Sequence, residues 1–270
     1  MIKFLNGAEL AGFIKERQAH TVRSLRQSRG IFPRLAIIQT IDSPVIDTYV
    51  RLKREYADDI GAVVDVYNIP LAEAAAKITE LNNDPSVHGI IVQLPLSDPD
   101  ETEKILNLVN PDKDVDGLAV KTKFDPATAV AINWLLTGYN IELTEKKITI
   151  VGKGRLVGAP LARMWRNSGL NMTVLDNSTP DIKPELIRSD LIVSATGVPG
   201  LITNDMIAPG AVVVDAGTTS DSGHIVGDIS DEVYDRDDIT ITPKRGGVGP
   251  LTIAALMDNL LRAAQVSSKL

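Results

Sequence analysis

Apolar residues in this chain fall into two kinds of pattern. Short runs rich in β-branched and aliphatic residues mark strands buried in a parallel sheet, and longer amphipathic stretches between them mark helices. In the first half the runs are Arg34–Ile41, Ala62–Asn68 and His88–Leu94. Amphipathic stretches at Ala8–Arg29, Pro44–Ile60, Leu71–Asn82 and Asp100–Val109 alternate with them, and Asp42-Ser43 is placed to cap the second. Strands alternating with helices predict a small parallel α/β sheet.

Asn110–Gly117 is turn-rich and acidic, as expected of a crossing between domains, and a helix near Thr128–Thr137 follows. Ile148, Ile150 and Val151 then lead into Gly152-Lys153-Gly154-Arg155-Leu156-Val157-Gly158 and a helix from Ala159 to Ser168. Strand, glycine turn and helix in that order form a phosphate cradle. The glycines let backbone approach a pyrophosphate, and the helix N-terminus offers N–H groups and partial positive charge. The spacing, G-x-G-x-x-x-G, is one residue longer than the usual fingerprint. Strands at Asn171–Leu175, Asp190–Ala195 and Ala211–Ala216 follow. The last two end at the turns Thr196-Gly197 and Gly217-Thr218, where an open parallel sheet offers its ligand crevice. Asp176 closes the first of these strands 24 residues after Gly152, near the spacing of about 20 for a carboxylate on the adenosine ribose. It also begins an ordinary Asp-Asn-Ser-Thr loop. This half predicts a Rossmann domain, and Pro250–Gln265 reads as a last helix returning to the first domain. The expected fold is two α/β domains, a three-layer N-terminal one and a Rossmann-type one with a parallel sheet, with a cleft between them.

The length of 270 residues suffices for two cores. A net charge of −7 argues against a nucleic-acid partner, which needs a basic surface. The absence of cysteine excludes disulfides and zinc–thiolate sites, and His20, His88 and His224 are too scattered to read as a metal cluster. No run reaches the roughly 18 apolar residues of a membrane span, and no signal core opens the chain, so the expected compartment is the cytoplasm, away from membranes.

Candidate chemistry collects at a few places. Tyr49 and Lys53 stand at i and i+4 on one helical face. A phenol beside an ammonium can hold it and, in a dry site, favour its neutral, acid–base form; the same spacing serves a solvated lysine beside a half-buried tyrosine. Gln93 ends the third strand, where its amide faces either a ligand crevice or loop backbone. Asp114 and Asp116 alternate in an extended turn, and one of them suits the amino-pyrimidine edge of a ligand. Gly246-Gly247-Val248-Gly249-Pro250 packs three glycines into four positions before a helix, more than a plain turn needs, and points to backbone contact with a ligand.

Together these stretches resemble one family, the bifunctional methylenetetrahydrofolate dehydrogenase/methenyltetrahydrofolate cyclohydrolases known as FolD. The carrying motifs are Y-V-R-L-K at Tyr49–Lys53, G-I-I-V-Q-L-P-L at Gly89–Leu96 and N-P-D-K-D-V-D-G-L at Asn110–Leu118. R-L-V-G-A-P at Arg155–Pro160, V-G-D-I at Val226–Ile229 and G-G-V-G-P-L-T at Gly246–Thr252 complete the set in the family's order. The resemblance implies a folate-binding catalytic domain at 1–122, completed by the helix 250–270, a Rossmann domain at 123–249, and a homodimer formed by the latter. It implies oxidation of 5,10-methylenetetrahydrofolate with NAD(P)+ and hydrolysis of the methenyl product to 10-formyltetrahydrofolate. Lys53 is then the general acid–base group, Tyr49 and Gln93 position and tune it, and Asp116 binds the pterin, with Gly247 and Pro250 also touching substrate. Gly152, Lys153, Gly154, Arg155, Val157, Gly158, Asp176, Thr196, Gly197, Gly217 and Thr218 hold the cofactor.

The chain also departs from the family. Ile46 stands where the family usually has Ser, the loop after Gly117 is several residues shorter and reads Pro126-Ala127-Thr128, and P-V-P-G-G appears as Pro243-Lys244-Arg245-Gly246-Gly247. Lys153 takes the place of an Arg that faces the 2′-phosphate and favours NADP, whereas Asp176 replaces a His and suits the free ribose of NAD. Both nucleotides therefore stay open at this point. So do two other functions on the same fold, a dehydrogenase without cyclohydrolase activity and a folate- or nucleotide-binding protein without turnover.

Overall fold

The structure, a computed structural model, describes residues 3–217, 219–221 and 224–267. In chain order the elements are β1 (Lys3–Phe4), α1 (Gly7–Arg29), β2 (Arg34–Gln39), α2 (Pro44–Ile60), β3 (Val63–Asn68), α3 (Leu71–Asn83) and β4 (Gly89–Val92). They continue with α4 (Thr102–Leu106), α5 (Ala127–Gly138), β5 (Ile148–Val151), α6 (Gly158–Asn167), β6 (Met172–Leu175), α7 (Lys183–Leu186) and β7 (Leu191–Ser194). The last are β8 (Val212–Asp215), β9 (Thr219–Asp221), β10 (His224–Val226), β11 (Thr240–Ile241) and α8 (Val248–Ser267). Two compact units result: Met1–Ala11 with Thr128–Thr252, and Gly12–Ala127 with Ile253–Leu270.

In the second of these units a three-stranded parallel sheet runs β3-β2-β4. Leu35, Ala36, Ile37 and Ile38 of the central strand are fully buried, which is why that strand is an unbroken apolar run. On one side Ala74, Ile78 and Leu81 of α3 pack against Ile90 and Val92 of β4. Helix α2 starts with Pro44 in its first turn and stops at Gly61, whose left-handed φ of 81° lets its N–H reach the last carbonyls. The cap expected from Asp42-Ser43 is not made. Ser43 occupies the cap position without a side-chain bond, and the Asp42 carboxylate accepts from Asn68 Nδ2 at 2.5 Å instead. Helix α4 is shorter than the pattern predicts, because a 3-10 turn begun by Pro99 takes up the first part of the stretch.

The first unit carries six parallel strands in the order β1-β11-β8-β7-β5-β6. The chain leaves β5 for β6 on one side and returns to β7 on the other, so the order reverses around β5. That reversal is the topological switch point at which open α/β sheets bind ligands. Val151, Ile192, Val213 and Ile241 supply the core on one face. The first eleven residues group here rather than with the unit expected from the sequence, because β1 pairs with β11 and Leu5 N–H donates to Ile241 O at 2.9 Å. A two-residue strand leaves no periodicity to read.

Candidate active site

Lys53 lies on the half-buried face of α2, and its Nζ donates to Gln93 Oε1 at 2.7 Å. A lysine only donates, so the Gln93 amide must turn its oxygen to Lys53, and its Nε2 then donates to Leu94 O at 3.1 Å. Gln93 itself is fixed where expected, just past β4, by its backbone N–H on Ile38 O at 2.8 Å. Burial strips water from the Lys53 ammonium and lowers its pKa from the ordinary lysine value, with the charge of Asp116 opposing that shift. Asp116 in turn is pushed up by burial and by Asp114, while Lys53 pulls it down. Burial thus penalises the charge of both groups, which sets them apart from a solvated surface ion pair. Tyr49 shares the helical face of Lys53, but among the described residues no hydrogen bond joins its hydroxyl to that lysine. The Gln93 amide, not the phenol, holds the ammonium.

The turn that carries Asp116 is clamped from several sides. Asp114 is buried and accepts from Ala119 N–H at 2.9 Å, so the two carboxylates divide the work: Asp114 folds the loop and Asp116 is left to the cluster. Ile90 N–H donates to Lys113 O at 2.7 Å, and the Lys113 ammonium crosses to Leu81 O and Asp84 O. From α8 the buried Asn259 amide donates to Val115 O and Asp125 O at 2.9 and 3.0 Å. The sequence offered Asp114 only as one of two alternating carboxylates, without its loop-folding part, and Asn259 was not singled out. The available signal for Asn259 was its helical position, on the face that Ala255, Leu256 and Ala263 make apolar.

In the other unit the glycine turn is built around close backbone approach. Gly152 has φ of 103°, and a Cβ there would stand 2.4 Å from Ala195 O. A Cβ on Gly158 would stand 1.8 Å from Gly152 O, so the turn closes only if both are glycine. Gly154 has open space beside it, and Lys153, Gly154 and Arg155 are exposed at the head of α6, next to Val157. A strand end, two obligatory glycines and the N-terminus of a ten-residue helix fit the pyrophosphate of a dinucleotide. Asp176 ends β6 as expected, and its Oδ1 accepts from Ser178 N–H and Ser178 Oγ at 3.0 and 2.6 Å. Those bonds, with Lys153 nearby, keep its pKa below the ordinary carboxylate value. Thr196 N–H donates to Asp228 Oδ2 at 2.7 Å, the Gly197 carbonyl accepts from Thr219 Oγ1, and Gly217 N–H donates to Asp215 Oδ1 at 3.0 Å. Thr218 lies outside the described residues.

The run Gly246–Pro250 belongs to this unit at the head of α8, and part of its glycine content is spent on packing. A Cβ on Gly7 of α1 would stand 1.9 Å from Gly247 O, and Ala8 N–H donates to Gly246 O. Gly249 faces open space. Of the two added cations, Lys244 is paired with Asp231 Oδ1 at 2.6 Å and lies over the Tyr234 ring.

A glycine cradle at the switch point of a parallel sheet, and in the other unit a partly buried lysine bonded to an amide and sensing the charge of a carboxylate, are features of a dinucleotide-dependent α/β enzyme. The chain belongs to the tetrahydrofolate dehydrogenase/cyclohydrolase family: residues 5–116 match its catalytic domain and residues 126–268 its NAD(P)-binding domain. It is 35% identical over 275 residues to the bifunctional protein FolD of Lactobacillus acidophilus, with 97% of each chain covered. The crystal structure of the bifunctional FolD enzyme from Campylobacter jejuni superposes with a TM-score of 0.91 at 37% identity, covering 98% of this chain and 99% of that one. The Trypanosoma brucei dehydrogenase-cyclohydrolase, solved with NADP cofactor and an inhibitor, gives 0.93 at 30% identity over 100% and 99% of the two chains. Membership makes the chain an NAD(P)-dependent methylenetetrahydrofolate dehydrogenase and methenyltetrahydrofolate cyclohydrolase of one-carbon metabolism.

Proposed function

We propose that Lys53 is the proton acceptor of the hydrolytic half-reaction, with Gln93 aiming it and Asp116 meeting the pterin edge. The bond between the partly buried Lys53 ammonium and Gln93 Oε1 carries this reading. In hydrolysis, water adds to the electron-poor methenyl carbon between the two folate nitrogens and loses a proton to neutral Lys53. As one carbon–nitrogen bond of the adduct breaks, Lys53 returns its proton to the departing nitrogen, and the adduct hydroxyl gives up its own proton, released to solvent, to become the formyl carbonyl. Desolvation supports both steps by bringing amine and ammonium closer in energy. Asp116 accepts paired N–H bonds from an amino-pyrimidine, the geometry a carboxylate suits best. Tyr49, on the same helical face, lines the substrate rather than holding the lysine.

The nucleotide, when bound, supplies the nicotinamide that accepts hydride from the methylene carbon. Gly152, Gly154 and Gly158 with Val157 and the α6 N-terminus hold its pyrophosphate, Lys153, Arg155 and Asp176 meet the adenosine end, and Thr196, Gly197 and Gly217 line the rest. Gly247 and Pro250 contribute substrate contacts at the head of α8. Asp176 with Ser178 accepts a free ribose hydroxyl, whereas Lys153 attracts a 2′-phosphate, and the charge of Asp176 tilts the balance toward NAD. A homodimer through this unit, in the cytoplasm, is in keeping with the open edge at β6.

One assay tests the whole reading. Purified protein with 5,10-methylenetetrahydrofolate is followed separately with NAD+ and NADP+, together with decay of added methenyl substrate. Turnover in both traces is expected. Dehydrogenation without methenyl decay would leave a monofunctional dehydrogenase, and silence in both from folded protein would leave a binding protein. Sedimentation at several concentrations tests the dimer.

A further inference from the structure

The Val226-Gly227-Asp228-Ile229 motif has no role in either site, yet it buries a carboxylate at the ligand edge of the six-stranded sheet. Asp228 is 1% exposed. Its Oδ2 accepts from Ser194 Oγ at 2.6 Å, at the end of β7, and from Thr196 N–H at 2.7 Å, in the turn that follows. Its Oδ1 is buried with no hydrogen-bond partner. The carboxylate lies flat against Gly217 beyond β8, where a Cβ would stand 2.0 Å from Oδ1.

Asp228 is itself held by a second acid. Its N–H donates to Asp215 Oδ1 at 3.1 Å, Ile229 N–H donates to Asp215 Oδ2 at 3.3 Å, and Gly217 N–H shares Asp215 Oδ1 at 3.0 Å. Gly227 must be glycine for this fit, since a Cβ would fall 1.9 Å from Asp215 Oδ2. Burial first, and then the neighbouring Asp228 charge, push Asp215 up to about 6 despite its three N–H donors. A packed core would reach the same stability without two adjacent carboxylates, one with an empty acceptor. What the pair does achieve is to tie the ends of β7 and β8 to each other at the crevice side of the sheet.

We propose that Asp228 is a positioning residue for the nicotinamide nucleotide, fixing the turns 195–197 and 215–217 as one surface. This rests on the reading that those turns line the nucleotide site. Because the cyclohydrolase step consumes no nucleotide, it serves as an internal control. In the full-length enzyme Asp228→Ala is expected to raise the cofactor KM about tenfold while cyclohydrolase kcat/KM changes less than about twofold. Asp228→Asn keeps an acceptor for both donors and is expected to recover most of the loss. Ser194→Ala removes one of the two bonds with little threat to folding and is expected to raise the cofactor KM about threefold. An unmoved cofactor KM in Ser194→Ala and Asp228→Ala would overturn the proposal. So would equal losses in both activities with a lowered Tm, which mark a merely structural role. Amide exchange across 194–200 in the wild-type enzyme, without nucleotide and with saturating NAD+ or NADP+ in turn, separates the underlying reading. Protection there with an unmoved KM removes the role of Asp228 alone, whereas no protection removes the turn from the nucleotide site.

Discussion

The folate unit and the dinucleotide unit are both parallel α/β sheets whose candidate sites lie beyond the ends of strands, but they place their chemistry on different atoms. In the reading proposed for the first, three side chains carry it: an ammonium made less basic by burial, an amide whose oxygen faces it, and a carboxylate pushed up by burial. In the second, the work falls to backbone. Gly152 and Gly158 are defined by the Cβ atoms they lack, with the exposed Lys153 and Arg155 beside them. A side-chain site is thus vulnerable to loss of one functional group at constant shape, and a backbone site to the gain of one methyl. The two kinds of substitution are expected to part the two activities.

The sharpest break is Lys53→Met. It keeps the length of the chain on α2 and removes the proton acceptor, so cyclohydrolase turnover is expected to fall by about 10²–10⁴-fold. Nucleotide binding, measured by fluorescence titration, should hold. Methenyl decay at the wild-type rate would take Lys53 out of its role. Gly158→Ala is the mirror experiment. Its new methyl cannot coexist with Gly152 O at 1.8 Å, so the turn must open and the cofactor KM is expected to rise at least about tenfold. Cyclohydrolase kcat should stay near wild type, and parallel loss of both activities would show that the units do not divide the chemistry as proposed.

A smaller effect separates charge from shape inside the folate cluster. Lys53 acts as a base when neutral, so cyclohydrolase rate is expected to rise with pH through an inflection below the ordinary lysine value. The Asp116 charge raises the Lys53 pKa, so Asp116→Asn is expected to move that inflection to lower pH, besides weakening substrate binding. A pH–rate profile whose inflection stays put would mean that Asp116 does not sense the lysine.

The contrast between the units also sets how much of the molecule was legible in the sequence. Buried parallel strands announce themselves as apolar runs, and the runs at 34–41 and 148–151 led to the right sheets. The switch-point cradle was readable because glycine spacing, strand and helix adjoin in the chain. Lys53 and Gln93 are 40 residues apart, and no local pattern says that the amide rather than Tyr49 takes the ammonium; that choice is made by the β2–β4 pairing that brings α2 over the end of β4. The strand at residues 3–4 was invisible for the same reason, since its partner lies near residue 240. The Asp215–Asp228 pair was half visible, as part of a motif, but its burial comes from the meeting of three segments.

Cofactor choice gives the finest test, because there a side chain modifies a backbone site. Asp176 is not a free carboxylate: Ser178 donates twice to Oδ1, which leaves Oδ2 as the oxygen to meet a ribose hydroxyl. The same bonds hold its pKa low, so the charge that repels a 2′-phosphate persists at any working pH. Lys153, close enough to contribute to that shift, is the counterweight. Asp176→Ser is therefore expected to move the NADP/NAD ratio of kcat/KM upward by a few-fold to about tenfold. Lys153→Ala should move it the other way by less, since an exposed ammonium is well screened. Both ratios are read from initial rates at matched salt, and raising the salt should shrink the Lys153 effect more than that of Asp176. A ratio unchanged in Asp176→Ser would mean that this carboxylate only shapes the Ser178 turn, and the preference would then rest on backbone in this unit as its phosphate binding does.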